Sequence, residues 1–242
     1  IAFAEMAASQ GLLDAQRLVN HRMIFGYYPE IITKPGEEAE NLRLLANSYL
    51  FKDIFAMQEV RKPVLLQKVL QALAFQIGSE VSYHEIAQLT GSDNQTVERY
   101  IDLLEKAFVV FRLNSFSRNL RNELKRSKKI YFWDNGIRNA VISNFNPVDL
   151  RQDTGALWEN FMVSERQKIN HYNALFPNIY FWRTHQQQEI DYLESMGGQL
   201  QAYEFAWNVK NKKKLPTAFA QAYPDAGFTV VTPENMQSFV MA

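Results

Sequence analysis

Three acidic residues in the last third of the chain have the order and local setting of metal ligands. Glu159 lies in a segment with helical periodicity, whereas Asp191 and Glu204 lie in two short alternating runs that are typical of strands. Neighbouring antiparallel strands can bring two such carboxylates close together. Mg²⁺ prefers oxygen ligands and keeps several waters, which suits the hydrolysis of a phosphate ester. The pattern therefore predicts a Mg²⁺ site at Asp191 and Glu204, with Glu159 as a further or water-mediated ligand.

The alternation of apolar and polar residues indicates where the strand acids point. Asp191 stands between Ile190 and Tyr192, so we expect its carboxylate on the sheet face opposite to both of them. Like charges held close together repel each other unless a cation or a proton lies between them. The alternative interpretation is that the acids are ordinary solvated residues on half-exposed strands, and spacing alone leaves both interpretations open.

A basic run between two predicted strands forms a second candidate site. Clustered lysine and arginine side chains can neutralise nucleic-acid phosphates, although a run of this kind also fits a solvated loop. The helix predicted before this run carries four acids, so we do not expect that helix to read bases. The residues predicted to contact nucleic acid are Arg118, Arg121, Lys125, Arg126, Lys128 and Lys129.

Composition limits the classes of protein to which the chain can belong. Lys+Arg 26 against Asp+Glu 26 gives a formal net charge of +0, so only local patches can favour nucleic acid or an anionic membrane. The absence of cysteine excludes disulfides and thiolate metal sites and fits a reducing cytoplasm. No long apolar run or signal peptide is visible, so we expect a cytoplasmic protein without membrane spans. The chain starts at Ile1, and we expect it to be a fragment of a longer protein.

The elements that must position these residues follow from periodicity and capping signals. Residues 1–60 read as helical. In residues 61–133, Pro63 fits a helix start, Ser82 begins a capping box with Glu85, and Ser92 begins another with Gln95. Two strand-like runs, FVVFRL and KKIYFWD, follow these helices, so the segment has the pattern of a winged helix-turn-helix.

The remaining residues, 134–242, predict a mixed α/β domain. A connecting helix, NGIRNAVIS, precedes a long helix over 154–172. Three strands, NIYFWR, QEIDYLE and LQAYEFAW, come next, followed by a helix near 215–223 and a last strand, GFTVVT. The fold class predicted for the whole chain is therefore mixed α/β, with a helical segment, a winged helix and a C-terminal α/β domain.

Several blocks of the sequence, in order, resemble one family. GALWENFMVSERQK, YFWRTHQQQEIDYLE and QAYEFAWNVKNKKKLPTAFAQAYP resemble the C-terminal domain of unknown function (DUF4143-like) that follows an AAA-family P-loop domain in many bacterial ATPases. That domain is similar to PD-(D/E)xK nucleases. FGYYPEI, LLANSYLFKDIF and the blocks through KKIYFWDNGIRNAV resemble the same family, so the likeness covers about residues 20 to 230.

This resemblance implies roles for particular residues. Glu159 matches the helix acid, and Asp191 and Glu204 match the two strand acids of a restriction-endonuclease-like core. The lysine that those nucleases carry two residues after the second strand acid is replaced here by Ala206, and Lys210 is a candidate substitute. Because no GxxxxGK[ST] loop occurs in the chain, the resemblance implies that ATP binds only in a preceding N-terminal domain.

Three functions remain open at this point. The first is a module that binds DNA or a partner protein and carries a nuclease-like domain without its lysine. The second is an active Mg²⁺-dependent nuclease that uses Glu159, Asp191, Glu204 and Lys210. The third is a module for self-association of the ATPase.

Overall fold

A single seven-stranded mixed sheet forms the centre of the fold. The computed structural model describes residues 1–49, 62–117, 127–210 and 213–241. Within these residues the predicted mixed α/β class is confirmed. The strands are β1 (Glu80–Val81), β2 (Val110–Ser115), β3 (Lys128–Phe132), β4 (Asn178–Arg183), β5 (Glu189–Met196), β6 (Gln199–Phe205) and β7 (Gly227–Val231).

Short helices lead into the sheet, and one long helix crosses it. None of the helices in the described residues is both long and apolar enough to cross a lipid bilayer. The helices are α1 (Phe3–Gln10), α2 (Leu12–Arg17), α3 (Val19–Phe25), α4 (Pro29–Thr33), α5 (Glu38–Leu44), α6 (Pro63–Phe75), α7 (Tyr83–Thr90), α8 (Asn94–Lys106), α9 (Asn135–Val141), α10 (Thr154–Tyr172), α11 (Thr217–Ala222) and α12 (Gln237–Val240). A π-helical turn spans Leu45–Tyr49, and a 3₁₀ turn spans Val148–Leu150.

The strand order is β1-β3-β2-β4-β5-β6-β7. Most neighbours are antiparallel, but β2 pairs with β4 in parallel, and so does β6 with β7. The parallel β2–β4 pair joins the two strands of the predicted winged helix to the C-terminal strands. The predicted boundary at residue 133 therefore separates two segments that share one sheet.

Apolar side chains cover both faces of this sheet. On one face, Trp158 and Phe161 of α10 pack with Tyr131 and Phe181 of β3 and β4. On the other face, Phe219 of α11 packs against a smaller cluster from β4, β5 and β6. The paired aromatic runs of β3 and β4 are therefore core, as continuous runs in strands buried on both faces should be.

Capping interactions fix the starts of α7 and α8. Ser82 caps α7 as predicted, and its hydroxyl accepts the N–H of Glu85 at 3.3 Å. The predicted start of the next helix at Ser92 is wrong by one residue. Asp93 is the cap, and its carboxylate accepts both the N–H and the hydroxyl of Thr96 at 2.8 Å. The Ser92 hydroxyl is instead 3.0 Å from that of Thr90, so it forms a hydrogen bond within the turn and does not cap the helix.

The C-terminal elements agree closely with the predicted ones. Helix α10 has the predicted bounds, and the strands β4 to β7 lie where their alternating runs indicated. The predicted helix near 215–223 is shorter, at Thr217–Ala222, and the terminal helix α12 was not predicted. Four residues are too few to give a periodic signal.

Asn160 holds α10 against β3. Its side chain is fully buried, accepts the N–H of Phe132 at 2.7 Å and donates to the carbonyl of Phe132 at 3.0 Å. The same amide donates to Asn135 Oδ1 at 2.7 Å, which links α10 to the start of α9. These bonds set how α10, and with it Glu159, lies across the sheet.

We expect Asn160→Ala to destabilise the fold by about 1–3 kcal/mol, because it leaves buried peptide groups of Phe132 without partners. Chemical denaturation of the full chain measures this loss. Asn173→Ala, at an exposed position just after α10, is the matched control and should change stability by less than about 0.5 kcal/mol. Equal effects of the two substitutions would contradict the role assigned to Asn160.

Candidate active site

Glu159 lies on α10 and faces strand β3. Its Oε1 accepts the hydroxyl of Tyr131 at 2.6 Å and lies 3.1 Å from Lys129 Nζ. Burial raises the pKa of Glu159 to about 7, although the Lys129 ammonium pulls it down, and the charge of Asp191 adds to the rise. The predicted helix acid is therefore largely buried, with 13% of its side chain exposed, and lies within electrostatic reach of the first strand acid.

A β-bulge sets the direction of Asp191. Between the pairs Tyr180–Leu193 and Trp182–Ile190, strand β5 contributes two residues where β4 contributes one. As a result, Ile190 and Leu193 share one core cluster, while Tyr192 belongs to the cluster on the α10 face. The expectation that Ile190 and Tyr192 lie on one face, opposite Asp191, is therefore wrong, because a bulge interrupts strict alternation and re-aims a side chain.

Asp191 and Glu204 lie together, as the sequence predicted. Asp191 Oδ2 accepts the N–H of Phe205, the residue after Glu204, at 2.9 Å. Lys213 Nζ lies 2.6 Å from Glu204 Oε2 and 3.4 Å from Asp191 Oδ2, so one ammonium contacts both carboxylates. Burial first, and then the charge of Asp191, raises the pKa of Glu204 to about 8 against the opposing effect of Lys213.

Lys129 enters the same cluster from β3. Its side chain is 2% exposed, and its ammonium lies 2.5 Å from Glu189 Oε1 as well as near Glu159. Burial alone would lower the pKa of Lys129, but the surrounding carboxylates, Glu159 foremost, hold it well above its usual range. The ammonium therefore stays charged inside the fold.

These side chains form the acid cluster: Glu159, Glu189, Asp191 and Glu204, with Lys129 and Lys213. Four carboxylates against two ammonium groups leave two negative charges when all are ionised. Arg183 and Glu80, which pair with each other beside Glu189, add one charge of each sign and leave this balance unchanged. Burial first, and the charge of Asp191 in addition, raises the pKa values of Glu159 and Glu204 and so favours their protonated forms.

The predicted substitute lysine, Lys210, is not the one that contacts the acids. In the described residues, Lys213 and Lys129 are the lysines in contact with the cluster, and Lys210 is exposed with its N–H bonded to Asn208 Oδ1. Sequence reasoning placed Lys129 in a solvated basic patch instead. Lys129 and Tyr131 are two residues apart on β3, so their side chains lie on the same face of the sheet. This spacing was a signal that Lys129 points inward beside an aromatic core residue.

The predicted nucleic-acid contacts divide into three groups. Lys129 is buried in the acid cluster, so it is not part of a solvent-facing patch, which corrects that expectation. The neighbouring Lys128 points the other way, with its ammonium 5.4 Å from the ring centre of Tyr83. The remaining candidates, Arg118, Arg121, Lys125 and Arg126, lie outside the described residues.

Asp191 and Glu204 form the part of the cluster that fits a divalent cation. Both carboxylates contact the ammonium of Lys213, so they share one cation position, which that ammonium fills. Mg²⁺ is held by one or two carboxylates and otherwise keeps water ligands. Among the described residues, no group of three or more His, Cys, Asp or Glu side chains is arranged to hold a metal ion. Glu159 is therefore not placed as a third direct ligand.

A groove of about 580 Å³ approaches the cluster at Arg183. Ser115, Ser127, Thr184 and His185 line it, together with Arg183, whose guanidinium lies 3.8 Å from Glu189 Oε2. Hydroxyl, imidazole and guanidinium groups are donors for phosphate oxygens. Through Arg183, Glu189 of the cluster is therefore next to an open space whose lining includes polar donors and the acid Glu80.

Comparison with known proteins divides the chain into two matched segments. Residues 16–148, more than half of the chain, match the domain of unknown function DUF8612, and residues 154–240 match the domain of unknown function DUF4143. Lys129 lies in the first segment, and the four acids lie in the second. No solved structure matches this chain.

The curated relatives are themselves uncharacterized. One protein of Mycobacterium tuberculosis and one of Mycobacterium bovis are each 29% identical over 161 residues, which cover 65% of this chain and 35% of the relative. A protein of Haemophilus influenzae is 25% identical over 152 residues, covering 59% of this chain and 38% of the relative. The chain thus spans little more than a third of these relatives' length.

The ammonium of Lys213 should control how stability depends on pH. The pKa of Glu204 is about 8 in the folded protein against a usual value of 4.5. Protonation of Glu204 therefore contributes fully to the stability of the fold below pH 4.5, and this contribution is lost as the pH rises toward 8. Lys213→Met removes an effect that lowers this pKa, so the loss should extend to higher pH. At pH 9 we expect a melting temperature lower by ~2–4 °C, which corresponds to about 1 kcal/mol.

Melting curves between pH 5 and pH 9 measure this effect. Lys210→Met is the matched control, since Lys210 lies in the same segment without contacting the acids, and it should follow the wild-type profile. Identical profiles of melting temperature against pH for the two variants would show that Lys213 does not lower the pKa of Glu204.

Proposed function

This chain belongs to the DUF8612 family, whose domains have no known function, and we propose from the geometry of the acid cluster that it cleaves phosphodiester bonds in nucleic acid with Mg²⁺. The observation that carries the proposal is the charge balance of the cluster. Two negative charges in excess can be met by two protons or by one divalent cation. A group of carboxylates with perturbed pKa values inside a fold is the pattern expected of a functional site.

Each residue of the cluster has a role in this proposal. Asp191 and Glu204 would hold the Mg²⁺ ion, which when bound polarises phosphate oxygens and lowers the pKa of a bound water. Glu159, with a pKa of about 7, is suited to accept a proton from the attacking water near neutral pH. Arg183 and the groove hydroxyls would position the flanking phosphates.

The wider assignment is also a proposal. The ordered sequence blocks support a chain that is part of a cytoplasmic bacterial AAA-family ATPase, in which ATP binds outside these residues. The three helices α6, α7 and α8, followed by β2 and β3, are compatible with a winged helix-turn-helix that assists nucleic-acid binding. ATP hydrolysis by the longer protein, and none by this chain, is the result that this assignment requires.

Asp191→Asn should abolish the Mg²⁺-dependent cleavage of a labelled oligonucleotide. We expect a loss on the order of 10²–10³-fold, since metal-held charge stabilisation contributes several kcal/mol. The amide oxygen can still accept the N–H of Phe205, and the removal of one clustered negative charge should leave thermal stability equal or higher. Glu234→Gln, at an exposed acid outside the cluster, should retain full activity.

Calorimetry provides a readout that does not depend on cleavage. Titration of the wild type with Mg²⁺ at pH 7 in buffers of different ionisation enthalpy should show proton release on binding, because the ion replaces protons on the carboxylates. A wild type that neither cleaves DNA or RNA nor binds Mg²⁺ would end the nuclease proposal.

A second candidate function is nucleic-acid binding without cleavage. The observation that favours it is Ala206, a buried residue at the position where the similar nucleases carry a lysine. Binding would then depend on phosphate contacts by the basic run and should weaken steeply with salt.

The second candidate predicts a particular salt dependence. Replacing Lys125, Arg126 and Lys128 together by Gln should lower the slope of log affinity against log salt by about 1 for each phosphate that the variant no longer neutralises. Fluorescence anisotropy with a labelled duplex measures this slope. Lys34→Gln is the control, since Lys34 pairs with Glu30 at an exposed site distant in sequence from the basic run. An unchanged slope in the triple variant would exclude the basic run as the contact surface.

A further inference from the structure

Lys213 fills the position between Asp191 and Glu204 at which the proposed function requires a divalent cation. Its Nζ lies 2.6 Å from Glu204 Oε2 and 3.4 Å from Asp191 Oδ2. The two acidic side chains are largely buried, since only 9% of Asp191 and 5% of Glu204 is exposed. Two carboxylates held this close need a cation or a proton between them. In this structure the cation is an ammonium group of the chain itself.

The exposure of Lys213 distinguishes it from Lys129, the other lysine of the acid cluster. The side chain of Lys213 is 41% exposed, whereas that of Lys129 is 2% exposed. An exposed ammonium can exchange a carboxylate for water at little cost, because it is partly hydrated in both positions. A buried ammonium has no such exchange, since water does not replace the partner that it loses. Of these two lysines, Lys213 is therefore the one that can leave its carboxylates.

Lys213 reaches the acids from the connection between β6 and α11. The chain just after it is anchored, because Leu215 and Phe219 pack in the apolar cluster on the α11 face. The N–H of Ala218 also donates to Gln188 Oε1 at 3.1 Å. A lysine carries its ammonium on a flexible four-carbon stem. Rotation of this side chain can therefore move the ammonium into solvent while the anchor stays in place.

We propose that Lys213 competes with the divalent cation for Asp191 and Glu204, so that the site binds Mg²⁺ only by displacing the ammonium. This inference rests on the proposed function, because it concerns the same two carboxylates. At low Mg²⁺ concentration the ammonium keeps the carboxylates paired and the site closed to other cations. Lys213 is thus a regulatory residue that sets the Mg²⁺ concentration at which the site fills, and it is not a catalytic one.

Isothermal titration calorimetry of the full chain with Mg²⁺ tests this proposal. Lys213→Met should lower the Kd for Mg²⁺ about tenfold or more, because it removes both the competing ammonium and its repulsion of the ion. The titration is made at pH 9, above the pKa of about 8 of Glu204, so that this carboxylate is mostly ionised in the wild type. A lysine that instead helped to assemble the cation site would have the opposite effect on Kd.

Lys210→Met and Lys214→Met are the matched controls. Both substitutions remove one positive charge from the same connection, at exposed positions that do not contact the acids. Each should change the Kd for Mg²⁺ by less than about threefold, because exposed charges at a distance are screened by salt. The double variant Asp191→Asn/Lys213→Met should lose the gain in affinity, since one of the two carboxylates is then missing.

The melting temperature gives a second readout. A ligand that binds the folded state stabilises it more as its Kd falls. The same Mg²⁺ concentration should therefore raise the melting temperature of Lys213→Met more than that of the wild type. If Lys213→Met does not fold without Mg²⁺, folding on addition of the ion supports the proposal, and a failure to fold with the ion overturns it.

The outcomes separate this proposal from the proposed function. An unchanged or higher Kd in Lys213→Met overturns the competition, and so does an equal fall in the two control variants. If Lys213→Met binds Mg²⁺ more tightly but no form of the chain cleaves nucleic acid, the competition stands and the nuclease proposal fails. If the wild type cleaves and Lys213→Met binds no more tightly, only the competition fails. Both fail if neither protein binds Mg²⁺.

Discussion

Removing a carboxylate from water costs several kcal/mol unless an opposite charge or a hydrogen bond replaces the missing hydration. Asp191 and Glu204 are buried under that constraint, and the side chain of Glu159 is only 13% exposed. Lys129 supplies part of the compensation on the β3 side, and Lys213 supplies part on the β6 side. Three features of the surrounding structure hold these pairs at contact distance. They are the hydrogen bonds of Asn160 on α10, the bulge in β5, and the alternation along β3 that points Lys129 inward.

The compensation is incomplete, and this incompleteness distinguishes the acid cluster from an ordinary buried salt bridge. The network around Glu194 shows the contrast. There, Arg166 makes a bidentate pair with the carboxylate, and Asn170 and Tyr192 donate to it, so that the pKa of Glu194 is lowered in spite of burial. Glu159 and Glu204 have raised pKa values in the same sheet. The partners of Glu194 thus more than offset its burial, whereas the partners of Glu159 and Glu204 do not.

Local signals in the sequence were sufficient to predict most of the secondary structure and to identify the three acids as candidate site residues. Helix α10 and strands β4 to β7 have strong periodicity, and Ser82 has a complete capping box. The cap at Asp93 was missed because two adjacent residues can both accept an N–H, and only the Thr90 contact decides between them. Ile190 was misplaced because a bulge depends on the partner strand, which one strand's sequence does not reveal. Lys129 lies 30 residues from Glu159 in sequence, and only the pairing of distant strands brings them together.

The parallel pairing of β2 with β4 has a consequence for handling the protein in pieces. The boundary between the two matched segments falls between residues 148 and 154, which places β2 and β4 on opposite sides of it. A piece that begins there would present the aromatic edge of β4, with its unpaired peptide groups, to solvent. Such an edge is a template for pairing with another copy. Oligomers formed by the isolated C-terminal piece would then report an exposed strand rather than a biological assembly.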